Sequence, residues 1–162
     1  MTVNIRPALT SDHQELERIR VAAFTPIFDS FRSILGDKIY ELAQKAEDEE
    51  QAGLLLSMFN KPCVWTLFVA EYESVLIGFI AIQSNRRTKV GEIGLNAIDP
   101  KYSGNGFGTK MYQFAIDHMK SSGMLVATVA TGGDPSHLPA RKAYEKCGFD
   151  IQVPSVWYCR TL

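Results

Sequence analysis

The chain has 162 residues, of which 46% are apolar and 22% charged, and its formal net charge is −1. That length and apolar content suit one domain with a substantial core, so residues 1–162 read as a single domain. The near-balanced charge excludes a generally basic nucleic-acid binder and a protein drawn to anionic membranes.

Val3 to Pro7 reads as a short first strand. Ser11 and Gln14 have the spacing of a capping box, and Leu16, Ile19, Ala23 and Phe24 supply the apolar stripe of the helix that follows. A looser helical region runs from about Pro26 to Leu56, with Gly36 as its break and the run Glu47-Asp48-Glu49-Glu50 as a solvated face. Trp65 to Glu71 and Ser74 to Gln83 read as paired strands around a tight turn near Tyr72-Glu73. Glu92 to Ile98 is a further strand. After a glycine-rich turn, Phe107, Met111, Phe114, Ala115 and His118 mark the buried face of a helix ending near Gly123. Leu125 to Ala130 reads as a buried strand, and a short helix follows from Ser136 to Gly148. Ile151 to Thr161 closes the chain as a strand or strand pair, with Pro154 at an edge or turn position. This order predicts an α/β fold of the α+β kind: a mixed, mostly antiparallel central sheet flanked by helices on both faces.

Cys63, Cys147 and Cys159 are odd in number and lack metal-ligand spacing, which favours reduced thiols and a cytoplasmic setting. His13 and His118 have no second ligand nearby in sequence, so no metal is expected. The first residues lack the basic-then-apolar run of a secretory leader. The longest apolar stretch, Val75 to Ile82, is far too short to cross a bilayer.

The most informative stretch is Asp99-Pro100-Lys101-Tyr102-Ser103-Gly104-Asn105-Gly106-Phe107-Gly108-Thr109. An apolar strand stops at a proline, passes through three alternating glycines and opens into a helix. Such a turn leaves backbone N–H groups unpaired at the positive end of the helix dipole, where phosphate oxygens bind. Its glycines permit positive φ and close approach of a bulky anion. Two familiar phosphate loops fail on spacing. Gly108-Thr109-Lys110 reverses the Gly-Lys-Ser/Thr order of a nucleoside-triphosphate loop, and Gly104, Gly106 and Gly108 read G-x-G-x-G instead of G-x-G-x-x-G.

The window Ser103 to Gly108 instead resembles the acyl-CoA loop of the GCN5-related N-acetyltransferase (GNAT) superfamily. That pattern is Gln or Arg, two residues, Gly, one residue, then Gly or Ala; Ser103 departs from it at the first position. A second segment resembles the superfamily's other motif. In Asp134 to Phe149, Ala140, Tyr144, Gly148 and Phe149 match, while His137 stands where Asn is common. Ser136 can cap this helix, Pro139 suits its first turn, and Gly148 suits its left-handed end.

The resemblance implies a fold in which the strand before the loop and the strand after the next helix splay apart. Pantetheine then lies in the opening against backbone groups of Asn96, Ala97 and Ile98. The diphosphate rests on the amides of Ser103, Gly104, Asn105, Gly106, Phe107, Gly108 and Thr109. It also implies direct acetyl transfer from acetyl-CoA to a primary amine, small-molecule or peptide, with no metal, no nucleic acid and no membrane, and with a homodimer left open. Tyr144 would be the general acid that protonates the leaving thiolate, or else an aromatic packed on the core. Glu92, eleven positions before Ser103, would be the base for the amine, or else an exposed carboxylate paired with Arg86, Arg87 or Lys89. Period-two alternation places Glu92 and Asn96 on one face of their strand. His137 would bond the pantetheine arm or be solvated, and the oxyanion would meet an N–H at or near Ala97. Cys147 reads as a helix-end core residue and not a nucleophile. Phe24, Phe28, Phe31, Tyr40, Trp157 and Tyr158 would wall an acceptor pocket or simply fill the core. A binding-only relative that senses acyl-CoA, and an acyltransferase with another acyl group or a hydroxyl acceptor, stay open beside the enzyme reading.

Overall fold

The structure, a computed structural model, describes residues 2–162. Five strands form one sheet in the order β1 (Asn4–Pro7), β2 (Thr66–Tyr72), β3 (Val75–Asn85), β4 (Val90–Ile98), β5 (Val126–Val129). The first three pairings are antiparallel and β4–β5 is parallel. The β2–β3 turn is made by Glu73 and Ser74, both at positive φ (50° and 66°), as the tightest hairpins require.

Helices α1 (His13–Leu35), α2 (Asp37–Ala43) and α3 (Lys45–Ser57) precede β2; α4 (Phe107–Ser121) joins β4 to β5; α5 (Leu138–Lys146) follows β5. Gly36, at φ 74°, is the expected break, and a second occurs at Gln44. The start of α1 is capped differently from the Ser11–Gln14 expectation. A short 3-10 turn, Thr10–Asp12, comes first, and the Asp12 carboxylate takes the Leu9 N–H at 2.7 Å. Asp48 is likewise no solvated residue: it is buried, accepting from the Tyr40 hydroxyl and the Gln44 amide, each at 2.8 Å.

The core has two halves because β2 and β3 are covered on both sides, which is why they read as unbroken apolar runs. Phe68, Ile80, Ile82 and Ile93 pack against Phe107, Met111 and Ala115 of α4 and Tyr144 of α5. On the other face Leu67, Val69, Phe79 and Ala81 pack against Leu16 and Ile19 of α1 and Leu55 of α3. Phe79, Ile80 and Ile77 are fully buried, and each such side chain stabilises the fold by roughly 2–3 kcal/mol.

Two expectations fail at the far edge. Residues 149–162 form no strand, and 150–162 are exposed, although their alternating apolar residues fit one. Consequently β5 is an edge strand and not a buried one, with Leu125 and Val126 exposed. A β-prone sequence is only a strand when it has a partner edge, and here it runs past α2 instead, beside Lys38, Ile39 and Leu42.

Candidate active site

The glycine-rich turn folds as its sequence requires. Asp99 accepts the Lys101 N–H at 3.0 Å, closing a 3-10 turn at Pro100–Tyr102. The same buried carboxylate meets the Arg18 guanidinium at 2.5 Å and so ties the loop to α1. Burial alone would raise its pKa, but Arg18 and the Lys101 N–H outweigh it and hold the group ionised below the usual range. Gly104 and Gly106 then take positive φ, 79° and 76°, and α4 starts at Phe107 without a side-chain cap. Asn105 donates its side-chain amide to the carbonyls of Tyr102 and Ser103, at 3.1 and 3.3 Å. Among the described residues, no protein acceptor takes the backbone amides from Gly104 to Thr109. The space beside the glycines is free too: a Cβ on Gly104 or Gly106 would meet nothing within 4 Å. A row of unpaired amide donors at a helix N-terminus fits a diphosphate.

The opening beside this loop comes from unequal strand lengths. β5 pairs with β4 only from Val90 to Ile93, while β4 continues to Ile98. The remaining edge of β4 therefore has no strand on that side. Its polarity follows from the ladder to β3, where Ile77 and Asp99 face each other and the Asp99 N–H reaches the Ile77 carbonyl at 2.8 Å. Two residues back, Ala97 also turns its peptide groups toward β3, whereas Asn96 and Ile98 turn theirs to the open side. Of the three positions expected to line the opening, Ala97 is thus corrected: its amide belongs to the sheet.

A second correction comes from a bulge. Ile80 pairs with Asn96 but Ile82 pairs with Ile93, so β4 carries one extra residue near Gly94-Leu95. The extra residue reverses the alternation. Ile93 and Asn96 both face α4 and α5, while Gly94 faces Trp65 on the α1–α3 side. Glu92, paired with Gln83, is therefore on the opposite face of the sheet from Asn96. It is exposed, and among the described residues no ion pair joins it to Arg86, Arg87 or Lys89.

On the α4–α5 face, Tyr144 is buried with its hydroxyl aimed at β4. The Asn96 side-chain amide donates to it at 3.3 Å and to the Gly94 carbonyl at 2.9 Å, and the Tyr112 hydroxyl donates to Asn96 Oδ1 at 2.8 Å. The two tyrosine rings lie 4.5 Å apart between centroids. Burial, then the neighbouring Tyr144, push the Tyr112 hydroxyl well above the ordinary phenol range, so it stays protonated. Tyr112 was not singled out from the sequence; one position past Met111, it looks like any aromatic on a buried helix face.

His137 sits at the start of α5. Its Nδ1 lies 2.5 Å from Asp134 Oδ1, and its ring meets that of Phe31 of α1 at a tilt, 5.7 Å between centroids. Asp134 also accepts from the Ser30 hydroxyl at 3.1 Å and from the Ser136 hydroxyl and N–H. A carboxylate only accepts, so Nδ1 carries the proton and Nε2 is left to address a ligand. The cap of this turn is therefore Asp134 and not Ser136. Burial would raise the Asp134 carboxyl, but the bonds from Ser136 and His137 outweigh it and bring it to about 2. A free Asp titrates near ~3.9, so this group's contribution to stability is complete above about pH 4 and is lost as pH falls toward about 2. Replacing Asp134 with Asn should flatten that part of a urea-unfolding pH profile; an unaltered acid limb would contradict the anchoring role.

The expected acceptor aromatics do not gather at one place. Phe28 and Tyr40 line a cavity of about 400 Å3 between α1, α2 and α3. Trp157 and Tyr158 are exposed and line an open cleft with Lys38, Ile39 and Leu42 of α2, the Phe31 ring lies 5.7 Å from that of His137, and Phe24 packs with the α1–α3 core. Cys147 is half-buried with its thiol pushed up by burial, unlike an activated nucleophile. No group of His, Cys, Asp or Glu among the described residues could hold a metal, and no described helix is long and apolar enough to cross a membrane.

Known proteins with this architecture are numerous. The PaiA N-acetyltransferase of Thermoplasma acidophilum, solved with coenzyme A, superposes with a TM-score of 0.70 at 18% identity, over 96% of this chain and 94% of that one. A GNAT family acetyltransferase from Brucella melitensis, solved with acetyl-CoA, gives 0.60 at 18% identity over 93% and 84%. The ribosomal-protein-S18-alanine N-acetyltransferase of Escherichia coli gives 0.64 at 16% identity over 94% and 80%. These likenesses establish the fold. No curated protein matches at the level of sequence. The model of the acetyltransferase (GNAT) family, however, matches residues 28–149, three-quarters of the chain and both motifs. On that match, and on the loop and splayed strands just described, the chain belongs to the GNAT acetyltransferase family.

Proposed function

We propose that this protein transfers an acetyl group from acetyl-CoA to a primary amine by direct attack in a ternary complex. The supporting observation is the continuity of the site. Orphan amides at the mouth of α4 lead into the open edge of β4, which ends at the buried hydroxyl of Tyr144. A long, thin, amide-bearing thioester with an anionic tail suits that shape. The relatives solved with coenzyme A or acetyl-CoA share the fold.

The outward amides of Asn96 and Ile98 hold the pantetheine and offer an N–H to the carbonyl oxygen as it becomes an oxyanion. Tyr144 gives its proton to the departing sulfur. A thiolate near ~8.5 accepts from a phenol near ~10 without a steep cost. His137, steadied by Asp134 and Phe31, places Nε2 for the pantetheine arm. The amine must be neutral to attack. One near pKa ~10.4 is neutral only about one part in a thousand at pH 7.4, a deficit of roughly 4 kcal/mol, whereas an α-amine near ~8 loses under about 1. Glu92 supplies the base, through water, since about 13 Å of strand separates it from Asn96. Being on the other face of β4, it draws the amine in from the α1–α3 side while the thiol leaves toward α5.

Glu92→Gln should lower the rate with a lysine-like amine at least tenfold near pH 7.5 and meet wild type as pH approaches the amine's own pKa. A constant ratio across pH would remove Glu92 from that role. The whole proposal is tested by free-thiol release from acetyl-CoA with a panel of polyamines, amino acids, aminoglycosides and peptides. Turnover with at least one amine is the expected result. The departure at Ser103 favours a second reading, a binding-only acyl-CoA sensor. Tight coenzyme A binding with no turnover on any amine would establish that reading in place of the enzyme.

A further inference from the structure

We infer that Asn96 is a positioning residue for the general acid, and that Tyr112 sets its orientation. The inference rests on the reading of Tyr144 as that acid. Every hydrogen-bonding group of the Asn96 amide is committed. Its oxygen accepts from Tyr112 at 2.8 Å, one N–H goes to the Gly94 carbonyl at 2.9 Å, and the other goes to the Tyr144 oxygen at 3.3 Å. A flipped amide would set its oxygen against the Gly94 carbonyl and its N–H against the Tyr112 proton. Tyr112 is buried and keeps that proton at any working pH, so the flipped arrangement is excluded.

The consequence concerns where the Tyr144 proton points. Because Asn96 donates to the Tyr144 oxygen, that oxygen is an acceptor in this bond and its own hydrogen is left for another partner. The Tyr112 oxygen is one acceptor within reach, and the opening along β4, where the sulfur arrives, is the other. When the tetrahedral adduct collapses, the C–S bond breaks and its electron pair goes to sulfur. The sulfur takes the Tyr144 proton, and the phenolate keeps the O–H pair. The Asn96 N–H then bonds to a charged oxygen, which strengthens it, so the contact is worth more after proton transfer than before. The proton lost by the acylated nitrogen later restores the phenol. The bulge near Gly94 is what puts Asn96 on this face at all.

The test is a double-mutant cycle, read by thiol release with acetyl-CoA and the best amine of the panel. Asn96→Ala should lower kcat about tenfold or more while KM for acetyl-CoA changes less than twofold. Asn96→Asp keeps the acceptor for Tyr112 but replaces the N–H with an oxygen that captures the Tyr144 proton; its kcat should fall further than that of the alanine variant. Tyr112→Phe should lower kcat about threefold to tenfold, and it provides the comparison if an Asn96 variant fails to fold. In a Tyr144→Phe background, Asn96→Ala should add less than about twofold. Full additivity with Tyr144→Phe, or wild-type kcat in both Asn96→Ala and Tyr112→Phe, would overturn the inference. If Tyr144→Phe itself retains wild-type kcat, the acid assignment is what fails, and the inference fails with it.

Discussion

Gly106→Asp is expected to weaken acetyl-CoA binding by about two orders of magnitude or more while leaving the fold intact. Gly106 is at φ 76° and caps α4 without a side chain, and the space beside it is open. Asp is among the few L-residues that tolerate the left-handed conformation, so the turn survives at a cost of about 1 kcal/mol. Its carboxylate, however, lands among the amides that face the diphosphate. Two unit charges 4 Å apart repel by about 1 kcal/mol in water and about 4 at an effective dielectric of 20. A diphosphate brings more than one charge, so a loss of about 3 kcal/mol is a modest expectation, and that is roughly a hundredfold in Kd. Gly106→Asn separates charge from shape. It adds the same bulk with no charge and should lose far less than the aspartate. Calorimetric titration of both variants checks this; equal losses would mean that bulk and not charge opposes binding, and no loss would place the diphosphate elsewhere.

Tyr144→Phe should lower kcat by about a hundredfold to a thousandfold with every amine, leaving KM for acetyl-CoA and the melting temperature nearly unchanged. Removing a general acid typically costs that much or more. The hydroxyl is the only atom lost, and the ring keeps its contacts with Tyr112 at 4.5 Å and Phe149 at 6.0 Å. The Asn96 N–H that loses this acceptor is left unpaired, while the other N–H still bonds the Gly94 carbonyl, so the stability cost is about 1 kcal/mol. Steady-state kinetics and thermal unfolding measure both. A raised KM with unchanged kcat would make the hydroxyl a binding group, and unchanged kinetics would give proton delivery to water or another residue.

The loop and the fold class were legible in the sequence because each rests on local chemistry. Alternating glycines after a strand allow few backbone paths, and the unbroken apolar runs around Phe68 and Phe79 announce a sheet covered on both faces. Asp99 and Asp134 could have been found the same way. Each precedes a proline and caps a short turn through the N–H two residues on, an Asp-Pro signal as local as the glycines. Other features depend on who lies next to whom. The bulge that separates Glu92 from Asn96 leaves no mark in a strand that reads Val-Gly-Glu-Ile-Gly-Leu-Asn, although the second glycine of that run sits on it. Which amides face the opening follows from the register with β3, which no single strand encodes. The unformed strand over residues 151–161 is the same lesson from the other side: alternation was present, but a partner edge was not.

The most direct test is an amide-resolved NMR titration of the labelled protein with coenzyme A. The N–H signals of residues 104–109 should show the largest downfield shifts in the protein, with Asn96 and Ile98 next and Ala97 nearly still. Binding that leaves the 104–109 amides unmoved, or no binding at all, would contradict the reading of that turn as the grip on the cofactor.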